Sequence, residues 1–231
     1  MEASRLLLTP TFKEIICSNL TFEEAVQLRD ALKFDSLKCP ISVFDSKSNQ
    51  KIILPGVNSV TIATYELIKQ HGLDSAFLEA SKTGQNEIVK TLLTAGVDVN
   101  TASQFGETAL MFASFAGKNE VVQTLIDNGA NVDKANQGEY TALMFASFAG
   151  QNLVVQTLLN AKARVNMASQ NGWTALMRAV KNGHNEVVRT LLTAKDINVN
   201  AVDQHGKTAL MMAADNGHQE IVQLLRAAGA H

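Results

Sequence analysis

Thr108-Ala-Leu-Met-Phe-Ala-Ser-Phe-Ala-Gly117 recurs without a change as Thr141-Ala-Leu-Met-Phe-Ala-Ser-Phe-Ala-Gly150. Looser copies are Thr174-Ala-Leu-Met-Arg-Ala-Val-Lys-Asn-Gly183 and Thr208-Ala-Leu-Met-Met-Ala-Ala-Asp-Asn-Gly217. With Gly84, the closing glycines stand at 84, 117, 150, 183 and 217, a spacing of 33, 33, 33 and 34 residues. The one extra residue falls within Lys195-Asp196-Ile197-Asn198. A fixed period of this length marks a solenoid, in which no unit can bury its apolar face without its neighbours.

Each period reads as helix, tight loop, helix, loop. Thr108 is placed to cap a first helix through its hydroxyl. Ala109, Leu110 and Ala113 supply its packing face, and Gly117 ends it where left-handed backbone is needed. A second helix begins near Glu120, with Val121, Val122, Leu125 and Ile126 on one side, and ends at Gly129. The following Asn136-Gln137-Gly138 is turn chemistry. Neither helix is long enough to stand alone, so stacking must hold the array together.

Gly206-Lys-Thr-Ala-Leu-Met-Met-Ala-Ala214, Gly217-His-Gln-Glu-Ile-Val-Gln-Leu-Leu225 and Thr94-Ala-Gly-Val-Asp-Val-Asn100 together resemble the ankyrin family motif. The resemblance covers about residues 74–231 and rests on five agreeing copies. It implies a mainly α fold: an ankyrin-repeat solenoid of five repeats, at about 74–102, 103–135, 136–168, 169–202 and 203–231. Two departures are consistent. Ala109, Ala142, Ala175 and Ala209 replace the family proline, and Met111, Met144, Met177 and Met211 replace the family histidine. A thioether ladder must therefore substitute by packing for the hydrogen bonds of that histidine. In the third repeat Gly138 and Glu139 are transposed relative to the other turns, so that finger is expected to bend differently. The first repeat, from Asp74, lacks a turn before its first helix and resembles a capping repeat, with Glu79, Lys82 and Gln85 around Phe77-Leu78. The last reads like an internal repeat, which leaves its outer face open to end-to-end contact.

Residues 1–72 do not repeat, and all three prolines (Pro10, Pro40, Pro55) lie there. Thr21-Phe-Glu-Glu24 is a capping box that opens an amphipathic helix carrying Phe22, Ala25, Leu28 and Leu32. Pro40-Ile-Ser-Val-Phe44 and Lys51-Ile-Ile-Leu-Pro55 flank a turn-rich stretch and predict a β-hairpin. A helix over about Ser59–Gln70 follows, so residues 1–72 form a small N-terminal α+β module and 73–231 the repeat domain. Leu8, Pro10, Ile15, Ile16, Leu20, Ala25, Leu28 and Arg29 resemble the start of an F-box, which docks on a ubiquitin-ligase adaptor. The spacing from Pro10 to Ile16 is one residue short, and a hairpin has no place in that module. An amphipathic capping segment is the simpler reading.

Composition narrows the function. The net charge is −2 and no Lys/Arg run exceeds two residues, which argues against a nucleic-acid partner. No stretch approaches the roughly 20 apolar residues of a membrane span. Two cysteines, Cys17 and Cys39, fit a reducing compartment without a disulfide framework, and a cytoplasmic location is expected. The Thr-Ala-Leu-Met style is similar to bacterial and parasite ankyrin proteins, some of them effectors that act in a host cell's cytosol. There is no Gly-rich phosphate loop, paired Cys motif or His-Glu-x-x-His, so we expect no enzyme, cofactor, metal or small-molecule substrate. His184 and His218 follow loop glycines, where structural use is the default.

A protein partner remains. In the family that this chain resembles, the concave face and turn tips do the binding. The matching turn positions carry Phe105, Tyr140 and Trp173, and the inner-helix ends carry Phe115, Phe148, Lys181 and Asp215. Five of thirteen aromatic residues (10 Phe, 2 Tyr, 1 Trp) thus fall where solvent is expected, which marks a contact surface. The ordinary alternative is that Phe115 and Phe148 pack sideways on each other between neighbouring repeats. Lys181 and Asp215 would form a charged rim.

Overall fold

The computed structural model describes residues 21–31, 41–45, 50–55 and 58–231. Its contacts divide the chain into two compact units, one running to Ala80 and including Asn86–Asp98, the other made of Ser81–Gln85 and Val99–His231. The repeats were expected to separate from the preceding module between residues 72 and 73. By contacts, the helix of residues 86–94 groups with the helix of residues 59–71.

In the first unit, α1 (Phe22–Ala31) opens on the expected capping box. The Glu24 N–H donates to Thr21 Oγ1 at 3.3 Å, and the Thr21 N–H donates to the Glu24 carboxylate at 2.8 Å. Strands β1 (Ile41–Asp45) and β2 (Gln50–Leu54) pair antiparallel with Val43 opposite Ile52, both buried. Asn58 and Thr61 cap α2 (Ser59–His71) reciprocally. Phe22 of α1 stacks on Tyr65 of α2, ring centroids 4.3 Å apart. Gly72, at φ 83, turns directly into α3 (Leu73–Thr83), so no finger precedes the first repeat helix, and α4 (Asn86–Thr94) follows. Leu54, Ile68, Ala76, Phe77, Val89 and Leu92 fill this core. Leu8, Pro10, Ile15, Ile16 and Leu20, on which the F-box resemblance depends, and both cysteines lie outside the described residues, as do Leu32 and the Leu28 side chain.

The second unit repeats one helix pair four times: α5 (Ala109–Phe115) with α6 (Asn119–Asp127), α7 (Ala142–Phe148) with α8 (Asn152–Asn160), α9 (Ala175–Lys181) with α10 (Asn185–Leu192), and α11 (Ala209–Asp215) with α12 (Gln219–Ala227). Each inner helix of seven residues opens on a threonine whose hydroxyl accepts the N–H of the methionine three residues on, at 3.3–3.4 Å. Met111, Met144 and Met177 are each 1% exposed, so they pack as expected. At Thr108 the sulfur does more than pack, because the threonine N–H donates to Met111 Sδ at 3.4 Å. Met211, in the last pair, is 49% exposed.

Three ladders tie successive repeats. Along the fingers, the Gln137 N–H donates to the Phe105 carbonyl, Gln170 to Gly138 and Gln204 to Asn171, at 3.0–3.2 Å. At the loop between paired helices, Lys118, Gln151, His184 and His218 lie over Gly84, Gly117, Gly150 and Gly183 of the repeat before. A Cβ on Gly150 would sit 2.8 Å from the His184 ring, so the glycine is required both for its φ of +73 and for that seat. At the outer turn, the Asn100, Asp133, Asn166 and Asn200 side chains accept the N–H of Asn131, Arg164, Asn198 and His231 at 2.8–3.1 Å. The extra residue near Lys195 leaves this third ladder intact: Val199 is 8% exposed, as Val165 is, one repeat earlier.

Candidate functional site

The fingers are built by side chains that accept from their own turns. Ser103 Oγ takes the N–H of Phe105 and Glu107 at 3.2 and 3.3 Å, and Asp203 Oδ1 takes those of His205 and Lys207 at 2.9 Å. Burial opposes the charge on Asp203. The backbone N–H groups of Lys207 and His205 outweigh it and hold the carboxyl below its ordinary value. Gly106, Gly172 and Gly206 supply the left-handed residue of three fingers at φ 74 to 79. In the finger of residues 136–141 that place falls to Glu139, at φ 63, as the transposition in the sequence suggested. Bridges pair Ala102 with Thr108, Ala168 with Thr174 and Val202 with Thr208, whereas none is formed at the base of the Glu139 finger.

That irregular finger positions Tyr140. A Cβ on Gly138 would stand 2.9 Å from the Tyr140 ring, so the bare glycine leaves room for the ring to fold back. Tyr140 then meets Phe145 edge-on, centroids 6.2 Å apart. Phe145 meets Phe115 edge-on at 6.4 Å, and Phe115 lies nearly parallel to Phe148 at 6.2 Å. Phe115 and Phe148 therefore touch sideways between repeats, as the ordinary alternative held, yet they stay 46% and 43% exposed. Together with Glu107, Asn136, Met144 and Arg178, these rings line a cavity of about 370 Å³.

The expected site residues are not all at equal depth. Phe105 is at a finger tip and 57% exposed, with Phe115 and Phe148 exposed on the inner helices. Tyr140 and Trp173, expected in solvent, are half-buried. The reason is Arg178, whose guanidinium lies 4.6 Å from the Tyr140 ring centroid, 4.9 Å from that of Trp173 and 5.8 Å from that of Phe148. Cation–π attraction draws rings from two fingers and one helix onto one cation. Lys181 and Asp215 are exposed. Lys181 Nζ donates to Asn216 Oδ1 at 3.4 Å, and Asp215 is ion-paired to Lys207 at 2.6 Å. That hydrogen bond lowers the Asp215 pKa and raises that of Lys207.

Arg178 and Phe145 were not singled out from the sequence. Their signal was helical spacing. Phe145 precedes Phe148, and Arg178 precedes Lys181, by three residues, which puts each on the same helix face as the residue that was chosen. Another open depression, of about 830 Å³, lies between residues 159–167 and 193–196, but no aromatic ring lines it.

His184 and His218 each make a structural contact to the repeat before. Both stand at the N-cap of their helices, but neither side chain makes a capping hydrogen bond there. His184 Nε2 instead lies 2.9 Å from the Phe148 carbonyl, and His218 Nε2 lies 3.5 Å from that of Lys181, each in the repeat before. Among the described residues, no group of three His, Cys, Asp or Glu is placed to hold a metal ion. No helix of those residues is long and apolar enough to cross a membrane.

A family model described as Ankyrin repeats (3 copies) matches residues 77–169 and again 154–231. No curated protein matches the chain.

Proposed function

Because this chain belongs to the ankyrin-repeat family, whose repeats serve in general as protein–protein interaction modules, we propose that it is a non-catalytic scaffold. It binds a partner protein on the inner-helix face and finger tips of its central repeats. Phe105, Phe115, Tyr140, Phe148 and Trp173 form the contact surface, and Lys181 and Asp215 extend it as a charged rim. The observation that carries this reading is the exposed Phe115–Phe148 pair beside a cavity of about 370 Å³. Packing on each other leaves both rings with close to half their surface in water, and burying it against a partner would release that water. Aromatic anchors lose few rotamers on binding, which favours them as hot spots.

The experiment captures partners on the immobilised chain and repeats the capture with Phe115→Ala and Phe148→Ala together. A protein retained by the parent and lost from a variant that melts normally supports the surface. Trp173→Ala should weaken that complex by roughly 2 kcal/mol or more. Its melting must be followed as well, because the ring also touches Arg178. Retention unchanged by all three substitutions moves the site away from this face.

A further inference from the structure

Arg178 is held by ring faces rather than by an acid. Arg164 pairs with Asp133, and Arg189 pairs with Glu186 and Glu220. The Arg178 guanidinium has no ion pair or hydrogen bond among the described residues, and three aromatic rings approach it within 6 Å of their centroids. Ring faces satisfy its charge in part but accept none of its five N–H groups in the way a carboxylate does. The clamp also limits the side chain to few rotamers before anything binds. The same guanidinium lines the cavity walled by Phe115, Tyr140, Phe145, Phe148 and Met144. A pre-oriented cation with free donors thus stands beside an apolar recess. Glu107 lines that recess too and makes the site directional, because it repels an acid placed on its side.

We propose that this cavity reads a short acidic segment of a partner protein: an apolar side chain fills the recess, and a neighbouring carboxylate of the same segment takes a forked pair of hydrogen bonds from Arg178. The inference rests on the surface reading above and names the chemistry of its partner. Arg178 specifies, the rings anchor, and Glu107 sets the direction in which the segment lies. An Arg–carboxylate fork has planar geometry that a lysine cannot reproduce.

The test uses the full chain and an array of synthetic decapeptides. Each peptide carries one central Leu or Phe with Glu, Gln or Lys at each of the two flanking positions. The parent should retain Glu-flanked peptides over their Gln counterparts by on the order of tenfold, the range of a charge-assisted hydrogen bond. Arg178→Gln should erase that preference, and Arg178→Glu should transfer it to the Lys-flanked peptides. Both variants are checked by circular dichroism melting, so a folding defect in one leaves the other to decide. Equal retention of all three flanks overturns the inference. So does a preference that survives both substitutions, or an array on which nothing is retained. The surface reading fails separately, if captured protein persists after Phe115→Ala and Phe148→Ala. Loss of captured protein in that variant together with a charge-blind array would keep the surface and discard the carboxylate.

Discussion

Lys162 stands in left-handed backbone at φ 67, where the matching positions of other repeats hold Gly96, Gly129 and Gly229 at φ 84 to 93. Those three glycines have open space around the point where a Cβ would stand, so no packing demands a side chain there. Lys162→Gly should therefore stabilise the chain. A non-glycine residue in this conformation costs about 1–2 kcal/mol. Glycine gives back about 0.5–1 kcal/mol through its freer unfolded chain. The net gain is about 0.5–1 kcal/mol. For a chain of this size that corresponds to a rise in melting temperature of roughly 1–4 °C. Urea titrations and thermal melts of parent and variant measure it, each followed by circular dichroism and by Trp173 fluorescence, and coincidence of those two probes confirms a single transition. Gly129→Ala, the converse change one repeat away, should lower the melting temperature. Glu139→Gly should gain less than Lys162→Gly, since it would set two glycines side by side at Gly138 and loosen the Tyr140 ring. A Lys162→Gly variant that melts at or below the parent refutes the argument from backbone strain.

Leu143 and Ala146 are 1% and 0% exposed, so Leu143→Ala should cost about 2–5 kcal/mol through a cavity, and Ala146→Leu should lower the melting temperature by overpacking; melting within a degree of the parent for both would overturn the repeat register. Ser147 Oγ is buried with no hydrogen-bond partner among the described residues, and the matching residue two helices on is Val180, so Ser147→Val should leave urea stability equal or raise it by up to about 1 kcal/mol, whereas a clear loss of stability would reveal a bond the hydroxyl makes. Burial, then the hydrogen bond to Glu23, pushes Tyr65 up to about 12 from 10.0. The folded chain therefore favours the neutral phenol, and its stabilisation is complete below pH 10.0 and lost as pH rises through about 12. Melting of the parent should fall toward that of Tyr65→Phe across this window, and parallel profiles would count against the contact.

Threonine caps, apolar spacing and glycine spacing made the helix pairs legible, and Gly117, Gly150 and Gly183 each answer a demand of the backbone that no other residue meets cheaply. The hairpin was legible for a similar local reason: β-rich runs flank a turn. The aromatic surface was legible only in part. Phe105, Phe115 and Phe148 could be placed from the repeat register, since each depends on its own helix or finger. The depth of Tyr140 and Trp173 could not, because it depends on Arg178, which comes from a helix and draws rings from two fingers. The transposed Gly138 and Glu139 were visible as a departure. Their consequence, a ring folded back over a bare glycine, needed the third dimension. The seats of His184 and His218 were likewise hidden, for each ring spans to the previous repeat and meets a carbonyl that sequence spacing does not display.

The residue inserted near Lys195 shows where this chain accepts material. Upstream and downstream of it, the Asn166 side chain still accepts from the Asn198 N–H and His218 still rests on Gly183. The fingers and the glycine seats leave no such slack, since each is tied residue for residue to its neighbour. A short peptide epitope or a fluorophore-bearing linker spliced between Lys195 and Asp196 should therefore be carried without loss of assembly, as the closure entropy of a lengthened loop grows slowly. The same splice between Gly106 and Glu107 would pull apart a finger that Gln137 grips through the Phe105 carbonyl. The loop at Lys195 thus offers a place for labelling that the fingers do not.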